Sequence, residues 1–109
     1  MVGASHGIID RHSWHIFAPL LPLDSVELSR GQFIKAMQER SIAVGVHYPA
    51  LHLFTAYRKL GYREGDFPNA EKIGRETVTL PLFPTMELSD VDRVCDAVRE
   101  VLAGAGRHR

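Results

Sequence analysis

Apolar positions first gather at Trp14-His15-Ile16-Phe17-Ala18-Pro19-Leu20-Leu21, a short run with the aromatic and β-branched content of a buried strand. Pro19 has no N–H to give to a ladder, so it marks a strand end, a bulge or an edge. After a loop at Leu23-Asp24-Ser25-Val26, Ser29 and Gln32 form a Ser-x-x-Gln capping box, and the period turns helical as far as about Ser41. Phe33, Ile34, Ala36 and Met37 make the apolar stripe of that helix, while Arg30, Gln32, Lys35, Gln38, Glu39 and Arg40 stay wet. Ile42-Ala43-Val44-Gly45-Val46 then reads as a second buried strand. Strand, helix, strand is a crossover unit, which makes the two strands parallel.

Beyond it, Leu51 to Leu60 suits a short helix with Leu53, Phe54, Tyr57 and Leu60 on one face, ended by Gly61. Tyr62 to Asp66 is a polar turn. Asp66 and Pro68 open a further helix carrying Ala70, Ile73 and Thr77 inward, with Gly74 costing about 1 kcal/mol relative to alanine unless something packs closely there. Val78-Thr79-Leu80-Pro81-Leu82-Phe83-Pro84 is a third strand, and its interruption by Pro81 suggests an edge. Ser89 caps the most regular helix, in which Val91, Val94, Cys95, Val98, Val101 and Leu102 repeat at three and four before Gly104 stops it. The fold class is α/β, an α+β two-layer sandwich: a small mixed sheet of about three strands packed by three to four helices in the order βαβ(α)αβα.

Composition narrows the picture. The 109 residues make one domain, with 13 basic and 13 acidic side chains and no net charge, so no global field draws the protein to nucleic acid or anionic lipid. An RNA-binding sheet would need solvent-facing aromatics on its central strands, and the apolar runs 42–46 and 78–82 offer none. The one cysteine, Cys95, reads as a small core residue on an apolar helical face, which fits a reducing, cytoplasmic setting. Neither a membrane-spanning run nor an export signal is visible.

Chemistry concentrates where the second strand runs out: Gly45-Val46-His47-Tyr48-Pro49-Ala50-Leu51-His52-Leu53-Phe54, then Tyr57 and Arg58. Imidazoles, phenols and a guanidinium at a strand end lie where α/β proteins place ligands. His47, Tyr48, His52, Tyr57 and Arg58 are therefore the candidate binding residues. His12-x-x-His15 lacks a third ligand and carries no metal reading, and no Ser-His-Asp or Cys-His order suggests a nucleophile.

The ordered motifs His15-Ile16-Phe17, Gly45 to His52, Gly61-Tyr62, Asp66-Phe67-Pro68-Asn69-Ala70-Glu71 and Leu80-Pro81-Leu82-Phe83-Pro84, with the last amphipathic helix, closely resemble the C-terminal part of DegT/DnrJ/StrS-type sugar aminotransferases. The resemblance implies a pyridoxal-phosphate enzyme of the aspartate-aminotransferase fold, of which residues 12–103 correspond to the small domain that closes over the active site. Residues 1–11 would then be a tail or the end of an inter-domain connection, and 104–109 a frayed tail. It further implies a nucleotide-sugar substrate in amino-sugar or polysaccharide biosynthesis, met by His47, Tyr48, His52, Tyr57 and Arg58.

In that family the cofactor lysine, the ring-stacking residue and the pyridinium-pairing carboxylate lie on a large N-terminal domain to which nothing here corresponds. Lys35, Lys59 and Lys72 sit in no setting that would desolvate an amine. The expectation is a fragment or split subunit that is inactive alone, carries no catalytic residue and no bound pyridoxal phosphate, and partners the cofactor domain in the same chain or a separate subunit. Self-association is a further expectation, through apolar surface left uncovered. The rival reading is a free-standing α/β module that binds a small ligand or a protein.

Overall fold

The computed structural model describes residues 13–107. The tail read over residues 1–11, and His12 of the His-x-x-His pair, lie outside the described residues. The element order is β1 (Val26–Glu27), α1 (Arg30–Glu39), a 3₁₀ turn (Leu51–Leu53), α2 (Thr55–Arg58), α3 (Pro68–Glu76), α4 (Leu88–Gly104) and β2 (Gly106–Arg107).

Regular sheet is sparse. The three predicted strands meet as single bridges, Phe17 with Leu80, Leu20 with Thr77 and Gly45 with Thr79, all antiparallel. The 77–80 segment therefore lies at the centre and not at an edge. The 17–20 segment and Gly45 flank it, both antiparallel to it and so pointing the same way. Backbone bonds show why proline did not set an edge. Val78 N–H donates to the Pro19 carbonyl at 3.1 Å and Leu80 N–H to the Phe17 carbonyl at 3.0 Å, while Gly45 and Thr79 exchange both bonds at 3.0 and 2.8 Å. Pro19 enters only as an acceptor, and the pairing stops one residue before Pro81.

Helix α1 begins as its capping box requires: Gln32 N–H donates to Ser29 Oγ at 3.1 Å and Ser29 N–H to Gln32 Oε1 at 2.8 Å. Its Phe33 and Met37 are fully buried and pack with Leu21, Ile42, Val78, Val94, Ala97 and Val101 as the core. Helices α1 and α4 thus cover one face of the bridged segments. Helix α4 starts at Leu88 with Glu87, not Ser89, at its cap, because the Asp90 carboxylate accepts the Glu87 N–H at 3.0 Å. Cys95 and Val91 are exposed, a correction to the predicted stripe: they flank the apolar seam whose buried members are Val94, Ala97 and Val101.

Two further expectations change. Helix α3 buries Glu71, Gly74 and Glu76, followed by Thr77, and leaves Ala70 and Ile73 exposed. The predicted helix over 51–60 divides into the 3₁₀ turn and α2, and its apolar face stays open, with Leu60 74% exposed. In the stretch read as a frayed end, Gly106 and Arg107 pair antiparallel with Glu27 and Val26.

Candidate functional site

The candidate residues hang on the chain between Gly45 and the start of α3. His47 follows the Gly45–Thr79 bridge, and its Nδ1 lies 2.8 Å from Thr79 Oγ1, so the central segment orients the ring. Nε2 is then the nitrogen available to a ligand. The Tyr48 ring meets that of His47 edge-on, with centroids 5.0 Å apart, and is two-thirds exposed. Pro49 and Ala50 pass directly beneath α3. A Cβ on Gly74 would stand 2.5 Å from the Ala50 nitrogen, so this glycine permits the close approach its place in a helix hinted at. Arg30 fixes the same helix end from the other side by donating to the carbonyls of Gly74 and Thr77.

His52 is buried, not presented. Its Nε2 lies 3.0 Å from Glu71 Oε2, and the two side chains are each more than nine-tenths shielded from solvent. Glu71 also accepts the Gly65 N–H at 2.9 and 3.0 Å and the Phe67 N–H at 3.0 Å. The Gly65 N–H holds its carboxyl below the ordinary glutamate value; burial pushes the other way, and the Phe67 N–H and His52 add to the lowering. From this anchor a line of rings runs outward. Phe67 packs on His52 at 5.0 Å, Tyr62 on Phe67 at 6.0 Å and Tyr57 on Tyr62 at 6.4 Å. Arg58 Nε donates to the Leu53 carbonyl at 2.7 Å, so any anion contact falls to its terminal nitrogens.

The five candidates therefore form two groups, His47 with Tyr48 at the segment end and Tyr57 with Arg58 beside the ring line that His52 supports. Sequence reasoning missed Glu71, Thr79, Tyr62 and Phe67 as members. An acidic residue in the first turn of a helix, six positions after a turn glycine, was the available signal for Glu71.

Among the described residues no lysine suits a Schiff base. Lys35 and Lys59 are exposed on α1 and just past α2. Lys72 Nζ lies 2.8 and 3.0 Å from the two Glu76 oxygens and 3.8 Å from Asp24, and the hydrogen bond to Glu76 raises its affinity for the proton. Attack on an aldehyde needs the neutral amine. No group of three or more metal-ligating side chains is present among the described residues.

The profile of the DegT/DnrJ/EryC1/StrS aminotransferase family matches residues 2–99. The chain belongs to that family. The spore coat polysaccharide biosynthesis protein SpsC of Bacillus subtilis is 38% identical over 97 residues, which are 87% of this chain and 25% of SpsC. An uncharacterised Methanocaldococcus jannaschii protein, MJ1066, is 37% identical over 94 residues, 85% of this chain and 24% of its own. Among solved structures, the putative sugar aminotransferase Spr1654 of Streptococcus pneumoniae, known in apo, pyridoxal-phosphate and pyridoxamine-phosphate forms, superposes with a TM-score of 0.73 at 29% identity. That match covers 82% of this chain and 22% of Spr1654. DesV of S. venezuelae, determined with a ketimine intermediate, gives 0.70 at 33% identity over 82% of this chain and 23% of DesV. The chain thus spans about a quarter of the length of the relatives it matches. Pyridoxal phosphate is the cofactor of the full-length family. No helix among the described residues is long and apolar enough to cross a membrane.

Proposed function

We propose that these residues form the lid and substrate wall of a pyridoxal-phosphate-dependent nucleotide-sugar aminotransferase of polysaccharide or amino-sugar biosynthesis. The observation that carries the reading is family membership over residues 2–99 together with structural likeness to sugar aminotransferases at TM-scores of 0.70 to 0.73. The cofactor supplies the amino-transfer chemistry when bound. The three described lysines do not fit its covalent attachment, so that lysine comes from outside this chain's residues, in the same polypeptide or a separate subunit. His47, Tyr48, His52, Tyr57 and Arg58 contribute the substrate side, His47 through Nε2 and Arg58 through its terminal nitrogens, while His52 acts from beneath the surface.

A chimera tests this. When this chain replaces the matching part of Spr1654, the product is expected to bind pyridoxal phosphate, take an amino group from glutamate and bind dTDP-glucose or UDP-glucose. His47→Ala in the chimera is expected to weaken nucleotide-sugar binding roughly tenfold or more, the size of one hydrogen bond to a charged group. A folded, cofactor-loaded chimera that binds neither sugar nucleotide would overturn the reading, and unchanged affinity in the His47 variant would return that residue to scaffold.

A further inference from the structure

Among the described residues Glu71 is heavily engaged outside the core, and nothing in amino transfer itself calls for it. Its carboxylate, 4% exposed as a residue, gathers the N–H groups of Gly65 and Phe67 and the ring of His52. These three partners frame the loop that carries Tyr62. Gly65 sits at φ +96°, a conformation that aims its N–H inward at no steric cost only for glycine. Phe67 both donates to Glu71 and rests on His52, so one carboxylate fixes the base of the ring line Phe67, Tyr62, Tyr57. Those three rings stay 48%, 43% and 43% exposed, although each is large and apolar.

The fold does not need this arrangement for its core. The cluster built on Phe33, Met37 and Val78 draws no residue from 51–71. The network thus orders the 62–67 loop and its rings apart from that cluster. Exposed tyrosine and phenylalanine faces, with Arg58 following Tyr57 in α2, suit a flat base with an attached phosphate, since every base has a face to stack and a guanidinium takes phosphate.

We propose that Glu71 is the positioning residue of the substrate wall: it holds Tyr57, Tyr62 and Phe67 as the face on which the base of a nucleotide stacks. This rests on the nucleotide-sugar reading above. It goes further in assigning the base to the ring line and in placing control of that line in a residue that touches no ligand.

The test uses the 109-residue chain in solution, with uridine and thymidine diphosphate as probes and inorganic pyrophosphate as the control without a base. Ring resonances of Tyr57, Tyr62 and Phe67 are expected to shift with either nucleotide and not with pyrophosphate. Tyr62→Ala and Glu71→Gln are each expected to weaken nucleotide binding about fivefold to tenfold. In Glu71→Gln the Gly65 and Phe67 amides lose protection from exchange while the resonances of Phe33 and Val78 hold. If Glu71→Gln fails to fold, Gly65→Ala, which tilts the same N–H without removing the carboxylate, is expected to give the same loss. A purely structural Glu71 would lower the melting temperature and leave the affinity of the folded molecules unchanged, which overturns the inference but not the nucleotide-sugar reading. Equal ring shifts with pyrophosphate would overturn the base-stacking role alone. Absence of nucleotide binding by the wild-type chain, with no ring shift, would overturn the stacking face, while the chimera decides the nucleotide-sugar reading separately.

Discussion

Gly74 shows how one missing carbon shapes the site. A methyl there would approach the Ala50 nitrogen to 2.5 Å and the Pro49 carbonyl carbon to 3.2 Å, and both are backbone atoms that cannot swing aside. Alanine would gain about 1 kcal/mol in helix propensity. The clash exceeds that, so Gly74→Ala is expected to destabilise the fold by about 1–3 kcal/mol in urea unfolding and to displace the loop carrying His47 and Tyr48. Glu71 adds a pH dependence of defined sign. Its folded-state proton affinity lies below the ordinary glutamate value of 4.5, mainly because the Gly65 N–H favours the carboxylate. A carboxyl lowered on folding stabilises the native state fully above its unfolded value and loses that contribution as pH falls through the folded one. The melting temperature of the wild type should therefore drop more steeply than that of Glu71→Gln as pH falls below the ordinary glutamate value, and parallel curves would remove Glu71 as a source of acid sensitivity.

At the scale of elements, the helices were legible where two signals coincided. Helix α1 has both a Ser29–Gln32 box and a stripe, and Phe33 and Met37 are buried as that stripe requires. Ser29→Ala should remove one acceptor from its first turn and cost about 1 kcal/mol, read as a lower urea midpoint with an unchanged slope. Helix α3 was legible in extent but not in facing. Its buried positions are acidic or glycine, and a carboxylate goes inside only because loop N–H groups from Gly65 and Phe67 come to meet it. Periodicity cannot show such partners. Sheet order was hidden for a related reason: Pro81 shows where pairing must stop but not on which side the neighbours lie, so a central segment read as an edge. The candidate site was legible only in part as a stretch, since His47 to Arg58 carries some of its rings and its guanidinium but Tyr62 and Phe67 lie beyond. Its division into an exposed pair and a supported ring line depends on contacts with Thr79 and Glu71, far along the chain.

The whole molecule carries surface that its own elements leave open. A cavity of about 380 Å³ lined by Trp14, Phe17, Leu80, Leu82, Met86 and Cys95 is almost wholly apolar, and Phe83 and Leu88 are exposed as well. Such faces belong to a chain whose relatives are about four times longer. For pyridoxal phosphate to attach here, one lysine would have to lose its proton near neutral pH, which takes desolvation or a neighbouring cation. Lys35 and Lys59 are exposed, and Lys72 is held protonated by Glu76, the opposite of what attack on the aldehyde needs. Mixing the 109-residue chain with pyridoxal phosphate and reducing with borohydride should therefore leave no stoichiometric pyridoxyl adduct by mass spectrometry. The Spr1654 chimera treated alike should carry one, on a lysine contributed by Spr1654. A stoichiometric adduct on Lys72 would show that the Glu76 pair yields to the cofactor, and would move the amino-transfer chemistry onto this chain.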